Sequence, residues 1–264
     1  MKKTDMKLQD VQGVYSGAEG NLWELIMGEQ IHVGGFKSSM ELATNAGIKE
    51  GMKGCDLCCC SGAGMRFLAK NFKTEMTGVD ATDKVIEVGK KRVENEKLVG
   101  KVQFVKGDVT DIPMDDGKFD FVWGEDAWCY VEDKGKLISE AARMLKPGGI
   151  IAFTDWVEGP AGLADNEAHR INTFMKFPYM ESIPGYKKLL EDNGFEVKEA
   201  SQIEFADYVD FYIKMLTDQL TYDALRIIGD DMELFQAMGG EMAYMSEVAH
   251  KDKMTRGRFV AVKK

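Results

Sequence analysis

The sequence predicts an α/β fold built on a mostly parallel sheet with helices on both faces. Three observations predict it. Short apolar strands alternate with amphipathic helices over residues 51–155. A glycine-containing loop follows the first of these strands and opens a helix. Acidic residues stand at the ends of three successive strands.

The elements follow in order. Gly54–Cys58 reads as the first strand and Gly62–Phe72 as a helix. Glu75–Val79 is a second strand running into Asp80, and Lys84–Lys97 a helix with Val85, Ile86 and Val93 on one face. Val102–Val105 is a third strand. Phe119–Trp123 is a fourth, preceded by the turn residues Asp115, Asp116 and Gly117. Lys134–Leu145 is a helix whose face is Leu137, Ile138, Ala141, Met144 and Leu145. Lys146-Pro147-Gly148-Gly149 stops it, and Ile150–Phe153 is a fifth strand. Residues 1–50 read as helical and irregular, and residues 156–264 as mostly helical with two late strands.

In such a sheet, ligands bind beyond the carboxyl ends of the strands. That places function just after Cys58, Val79, Val105 and Trp123. The loop Asp56-Leu57-Cys58-Cys59-Cys60-Ser61-Gly62-Ala63-Gly64 lets backbone approach a ligand, and the helix it opens adds free N–H groups. Asp80 stands where an acid grips ribose hydroxyls, and Asp108 where one can accept from an adenine amino group. One such acid alone would be a cap or turn residue. The three together with the loop point to a nucleoside.

Composition narrows the class. The apolar fraction of 44% and charged fraction of 30% are those of an ordinary globular protein. No apolar run approaches the roughly 20 residues of a membrane span, and the first residues lack the apolar core of a signal peptide, so a cytoplasmic protein without a membrane partner is expected. A formal net charge of -10 with no basic stripe argues against nucleic acid as a partner. Cys55, Cys58, Cys59 and Cys60 read as reduced thiols packed as small hydrophobes. The alternative is a metal or redox site at the C-x-x-C of Cys55 and Cys58, but only Cys129 and the scattered His32, His169 and His250 could supply the second ligand pair zinc would want, and no metal is expected.

In this order of motifs the chain resembles class I methyltransferases that use S-adenosylmethionine. The family's first motif resembles Asp56 to Gly64. Its ribose acid matches Asp80, its adenine-side acid Asp108, and its post-strand motif Phe119-Asp120-Phe121-Val122-Trp123. Glycines usual in the family are replaced by Cys58 and Cys60, whose side chains crowd the cofactor and restrict the backbone. A nicotinamide-binding pattern would require glycine at Phe67. Met27-Gly28-Glu29-Gln30-Ile31-His32-Val33-Gly34-Gly35 resembles the lid motif of sarcosine/dimethylglycine and phosphoethanolamine N-methyltransferases, as do Asp126-Ala127, Thr154-Asp155 and the final run Arg256–Lys264.

The resemblance implies a Rossmann-like methyltransferase fold with a seven-stranded sheet, a lid over residues 1–50, and a domain over 51–264 with helical caps at about 156–180 and 205–250. It implies S-adenosylmethionine held by His32, Val33, Asp56, Cys58, Gly62, Asp80, Ala81, Asp108, Val109 and Glu125. The acceptor is a small molecule, the protein a monomer or homodimer. The tyrosine–histidine pair of the phosphoethanolamine family falls on Trp23 and Tyr130, and Tyr130 is either core or an orienting group. Asp126 joins them as a candidate. Arg170, with Lys176 second, is expected over the pocket to meet an acceptor's anionic group, or else on the surface. The expected reaction is N-methylation of sarcosine or dimethylglycine toward betaine. Phosphoethanolamine or another N, C or O nucleophile is the alternative acceptor. A non-catalytic nucleoside binder or a thiol or metal sensor is the alternative of another class.

Overall fold

The computed structural model describes residues 2–264. Three helices lead: α1 (Leu8–Ser16), α2 (Ala18–Met27) and α3 (Gly35–Asn45). The alternating region follows as β1 (Lys53–Leu57), α4 (Ala63–Asn71), β2 (Glu75–Asp80), α5 (Asp83–Asn95), β3 (Val102–Lys106), β4 (Phe119–Glu125), a 3₁₀ turn (Trp128–Tyr130), α6 (Lys134–Met144) and β5 (Leu145–Glu158). Then come α7 (Asp165–Met175), β6 (Glu181–Ser182), α8 (Ile183–Asp192), β7 (Phe195–Ile203), α9 (Ala206–Asp218), α10 (Thr221–Ile227), α11 (Met232–His250) and β8 (Met254–Lys263).

The sheet runs β3-β2-β1-β4-β5-β8-β7, with β6 paired to β5 off this path. The pairs from β3 through β5 are parallel, and β8 lies antiparallel between β5 and β7. Strand order reverses between β1 and β4, which makes the switch point the natural mouth of a ligand site. The sheet has eight strands where seven are expected. The extra one, β6, is two residues long, too short to leave an alternating pattern in sequence. β5 extends well beyond the expected Ile150–Phe153, because its far half pairs with β8 as far as Glu158 and Met254.

The core has two layers, one on each face. Leu137, Ile138, Ala141 and Met144 of α6 are fully buried beside Val122 and Phe153. Leu42, Met65 and Leu68 pack beside Phe121 and Trp123 on the other. Alternate residues of β4 thus face opposite layers, as the period of two requires. A third cluster joins α1 and α2 to α7, α9 and α11 through Trp23, Trp156, Met175, Val209 and Met242. Among the described residues no helix is long and apolar enough to cross a membrane.

In the central strand β1, a Cβ on Gly54 would lie 2.2 Å from the Phe121 ring. Gly54→Ala should therefore destabilise the fold by about 1–3 kcal/mol through overpacking, read as a lowered urea midpoint at unchanged m value.

Candidate active site

The strand ends and the N-terminal helices enclose a cavity of about 720 Å³. Its floor is the loop after β1. There Cys59 N donates to Val79 O (3.1 Å) and Cys60 N to the Asp80 carboxylate (2.9 Å), which moors the loop to the end of β2. Gly62, at φ +75°, caps α4 in the left-handed region that glycine enters freely. Cys58 and Cys60 also take positive φ, +62° and +48°. The two cysteines keep the backbone path that glycine would take, at about 1–2 kcal/mol each. Their side chains, with Cys59, line the cavity. The five cysteines are free. Cys55 and Cys59 enter core clusters on opposite faces of the sheet, as small hydrophobes do.

Carboxylates ring this floor. Asp80 accepts from Cys60 N and from Thr82 N (2.9 Å), and burial raises its pKa. Asp56 is buried and lines the cavity. Burial pushes it well above the usual carboxylate range, with Glu125 and Asp80 adding repulsion. A Cβ on Gly64 would lie 2.9 Å from Glu125 Oε2 and 3.3 Å from Asp56 Oδ2, so both acids converge on one spot. Glu125 also accepts from Ser39 Oγ (2.8 Å) and Trp123 Nε1 (3.0 Å). Further along, Asp108 accepts from the N–H and hydroxyl of Thr110 and lines the cavity beside Val109.

Leu8, Val11, Tyr15, Gln30, Ile31 and His32 line the cavity from its other side. Gln12 Nε2 donates to Ala81 O (2.8 Å), Arg92 pairs with Glu24, and Arg66 with Glu29 (3.0 Å). His32 is buried, with Nε2 2.9 Å from Ser39 Oγ and 3.2 Å from Glu125 Oε1. Val33 N donates to Asp126 Oδ2 (2.8 Å), and Gly34 N to Tyr212 OH (3.2 Å). Arg256 Nε donates to Asp126 Oδ1 (2.7 Å) and its NH2 to Thr154 Oγ (2.9 Å). Both members of this ion pair are buried.

Tyr130 stands at the boundary between the cavity and a small inner pocket that Trp23, Met27, Trp156, Met175 and Phe177 also line. Its hydroxyl lies 3.1 Å from that of Tyr15 of α1. Burial raises both phenols, so both stay protonated at neutral pH.

Of the residues expected to hold a cofactor, His32, Asp56, Cys58, Asp80, Ala81, Asp108, Val109 and Glu125 line the cavity. Val33 and Gly62 do not: Val33 acts through its N–H on Asp126, and Gly62 through its backbone turn. Trp23 lines the inner pocket, but the partner of Tyr130 is Tyr15. The sequence reading missed Tyr15 because it precedes the lid motif, and the fold of α1 against α2 places it there. Arg170 is corrected more strongly. It is exposed on α7, bidentate to Glu241 of α11 (2.9 and 3.1 Å) and over the Tyr244 ring, and it lines neither pocket. The apolar face of α7, with Ala168, Ile171 and Met175, turns inward and leaves Arg170 outside. One group of metal-ligand type, Asp207, Asp210 and His250, lies exposed among the described residues, away from the cavity.

Comparison with known proteins bears on this site. Residues 55–153 match the family model described as a methyltransferase domain. A sterol 24-C-methyltransferase of Aspergillus fumigatus is 36% identical over 129 residues, 49% of this chain and 34% of that protein. The chain spans between 34% and 39% of the first curated relatives it matches. Among solved structures, a Galdieria sulphuraria protein taken to be a sarcosine dimethylglycine methyltransferase superposes with TM-score 0.78 at 22% identity, over 87% of this chain and 85% of that one. A Haemonchus contortus phosphoethanolamine N-methyltransferase, in complex with phosphomonomethylethanolamine and S-adenosylhomocysteine, gives TM-score 0.84 at 21% identity, over 97% and 60%. These likenesses show the fold, a Rossmann-like one shared with methyltransferases.

Replacing Arg256 with methionine leaves Asp126 buried without its partner. R256M should lose about 3–5 kcal/mol of stability, seen as a lower denaturant midpoint, and D126N/R256M should lose less than the sum of the two single changes.

Proposed function

We propose that this chain, which carries a domain of the methyltransferase family over residues 55–153, moves a methyl group from S-adenosylmethionine to a small amine. The observation that carries the reading is the ring of acids at the strand ends, opening onto the Tyr15–Tyr130 pair.

The residues fit such a cofactor. Asp56 is a buried carboxylate at the cavity wall, converging with Glu125, and an ammonium group would relieve their repulsion. Asp80 has lone pairs left after its two backbone bonds, suited to ribose hydroxyls. Asp108 would face the adenine side, and His32 and Ala81 would close the lid. The cofactor supplies an electrophilic sulfonium methyl. The protein's part is alignment of the acceptor.

Tyr15 and Tyr130 are that alignment device. One hydroxyl donates to the other, leaving one O–H and free lone pairs to hold an acceptor nitrogen. Neither acts as a phenolate base, since burial keeps both protonated. Asp126 is engaged by Val33 N–H and Arg256. In this reading the amine arrives neutral. Trp23, Trp156 and Phe177, with Met27 and Met175, would surround an amine as it becomes more methylated and cationic.

Sarcosine or dimethylglycine is the acceptor best supported, by the breadth of the likeness to the Galdieria sulphuraria protein. Phosphoethanolamine is the second reading, since Tyr179 and the cations Lys3 and Lys136 line one end of the cavity and suit an anionic tail.

The test is mass spectrometry of products from S-adenosylmethionine with glycine, sarcosine, dimethylglycine and phosphoethanolamine in parallel. A methylated product from one acceptor supports the reading. No product together with no binding of S-adenosylhomocysteine sinks it. D80N should weaken S-adenosylhomocysteine by about tenfold to a hundredfold in calorimetry, as expected for hydrogen bonds to a charged group. Y130F and Y15F should each lower kcat/KM by about tenfold. The rate of the wild type should rise with pH until the acceptor amine is neutral, following the amine's own ionisation and shifting when a less basic amine is offered.

A further inference from the structure

Lys134 is the least expected side chain near the cavity. It is the first residue of α6, where the helix dipole disfavours a cation, and it is only 1% exposed. Its Nζ donates to Val131 O (2.9 Å) and Tyr179 O (3.0 Å), reaches Cys129 O at 3.5 Å, and sits 3.8 Å from the centre of the Tyr179 ring. Burial pushes it down to about 8, so at neutral pH it keeps the third proton that a third carbonyl needs.

Two of the carbonyls it holds, those of Cys129 and Val131, belong to the residues on either side of Tyr130. Cys129 is held from its other side too. Its N–H donates to Asp155 Oδ1 (3.0 Å), and Asp155 Oδ2 accepts from Tyr186 OH (2.6 Å). The 3₁₀ turn is therefore pinned in front and behind, while Tyr130 itself projects from it to meet Tyr15.

We propose that Lys134 is a positioning residue for the acceptor, fixing the Tyr130 hydroxyl through the carbonyls of Cys129 and Val131. This rests on the reading of Tyr130 as the acceptor's partner given above. A lysine that merely satisfies three carbonyls would affect stability alone. A positioning lysine couples to Tyr130.

The experiment is a double-mutant cycle with K134M, Y130F and K134M/Y130F, measuring kcat, acceptor KM and S-adenosylhomocysteine affinity. K134M should lower kcat about tenfold with S-adenosylhomocysteine affinity within twofold of wild type, and should have no further effect in the Y130F background. Additive losses, or a fall in S-adenosylhomocysteine affinity that matches the fall in kcat, would overturn the proposal. K134Q, which keeps an N–H donor at the site, replaces K134M in the cycle if that variant does not fold. A second readout is independent of turnover: the ring ¹³C resonance of Tyr130, identified by its loss in Y130F. It should move in K134M, and an unmoved resonance overturns the proposal. If the wild type methylates none of the acceptors, the functional reading fails and the resonance alone decides the role of Lys134.

Discussion

The buried pair between Arg256 and Asp126 is the interaction on which the rest of the site depends. Four parts of the chain meet there. Asp126 directly follows β4, Arg256 lies on β8, Thr154 on β5, and the Val33 N–H comes from the segment after α2. Taking both charges out of water is costly, and the pair is tolerable because each group is also hydrogen-bonded. What it contributes is orientation. It ties β8 to the segment that follows α2, with Asp126 between them at the cavity wall.

A second constraint is the path of the backbone between β1 and α4. The chain must turn sharply there while its N–H groups reach Val79 O and the Asp80 carboxylate. That path passes through left-handed conformations at Cys58 and Cys60. The cysteines follow it against their preference, because the mooring to β2 and the helix start at Gly62 leave little other choice. Small side chains are what the space allows, since Cβ atoms added to the nearby Gly62, Gly64 or Gly78 would meet Phe104, Glu125 or Met65.

The site divides its chemistry between its two ends. Acids gather where a positively charged portion of a ligand would lie, and two protonated tyrosines with an aromatic pocket behind them stand where a neutral nucleophile would be held. Lys134 and Asp155, both buried, hold the turn between them. Such fully bonded networks fix one conformation of a site more than they add to stability.

The amino-acid sequence by itself determined the alternating strands and helices, the apolar face of α6, the switch point, and the acids at the strand ends. These are local properties: periodicity, turn residues and spacing are visible in neighbouring positions. It also singled out the segment Met27–Gly35, from which His32 lines the cavity. Only the tertiary structure decided which side chains meet. Tyr15 and Tyr130 are 115 positions apart and Asp126 and Arg256 130 apart, so no local pattern signals either pair. The same holds for Arg170, whose place after β5 suggested the pocket until the packing of α7 turned it toward Glu241. The physical reason is common to all three cases. A strand end is set by backbone hydrogen bonds within the sheet, whereas which side chains meet depends on how the elements that carry them are packed, and that packing is settled by the whole core.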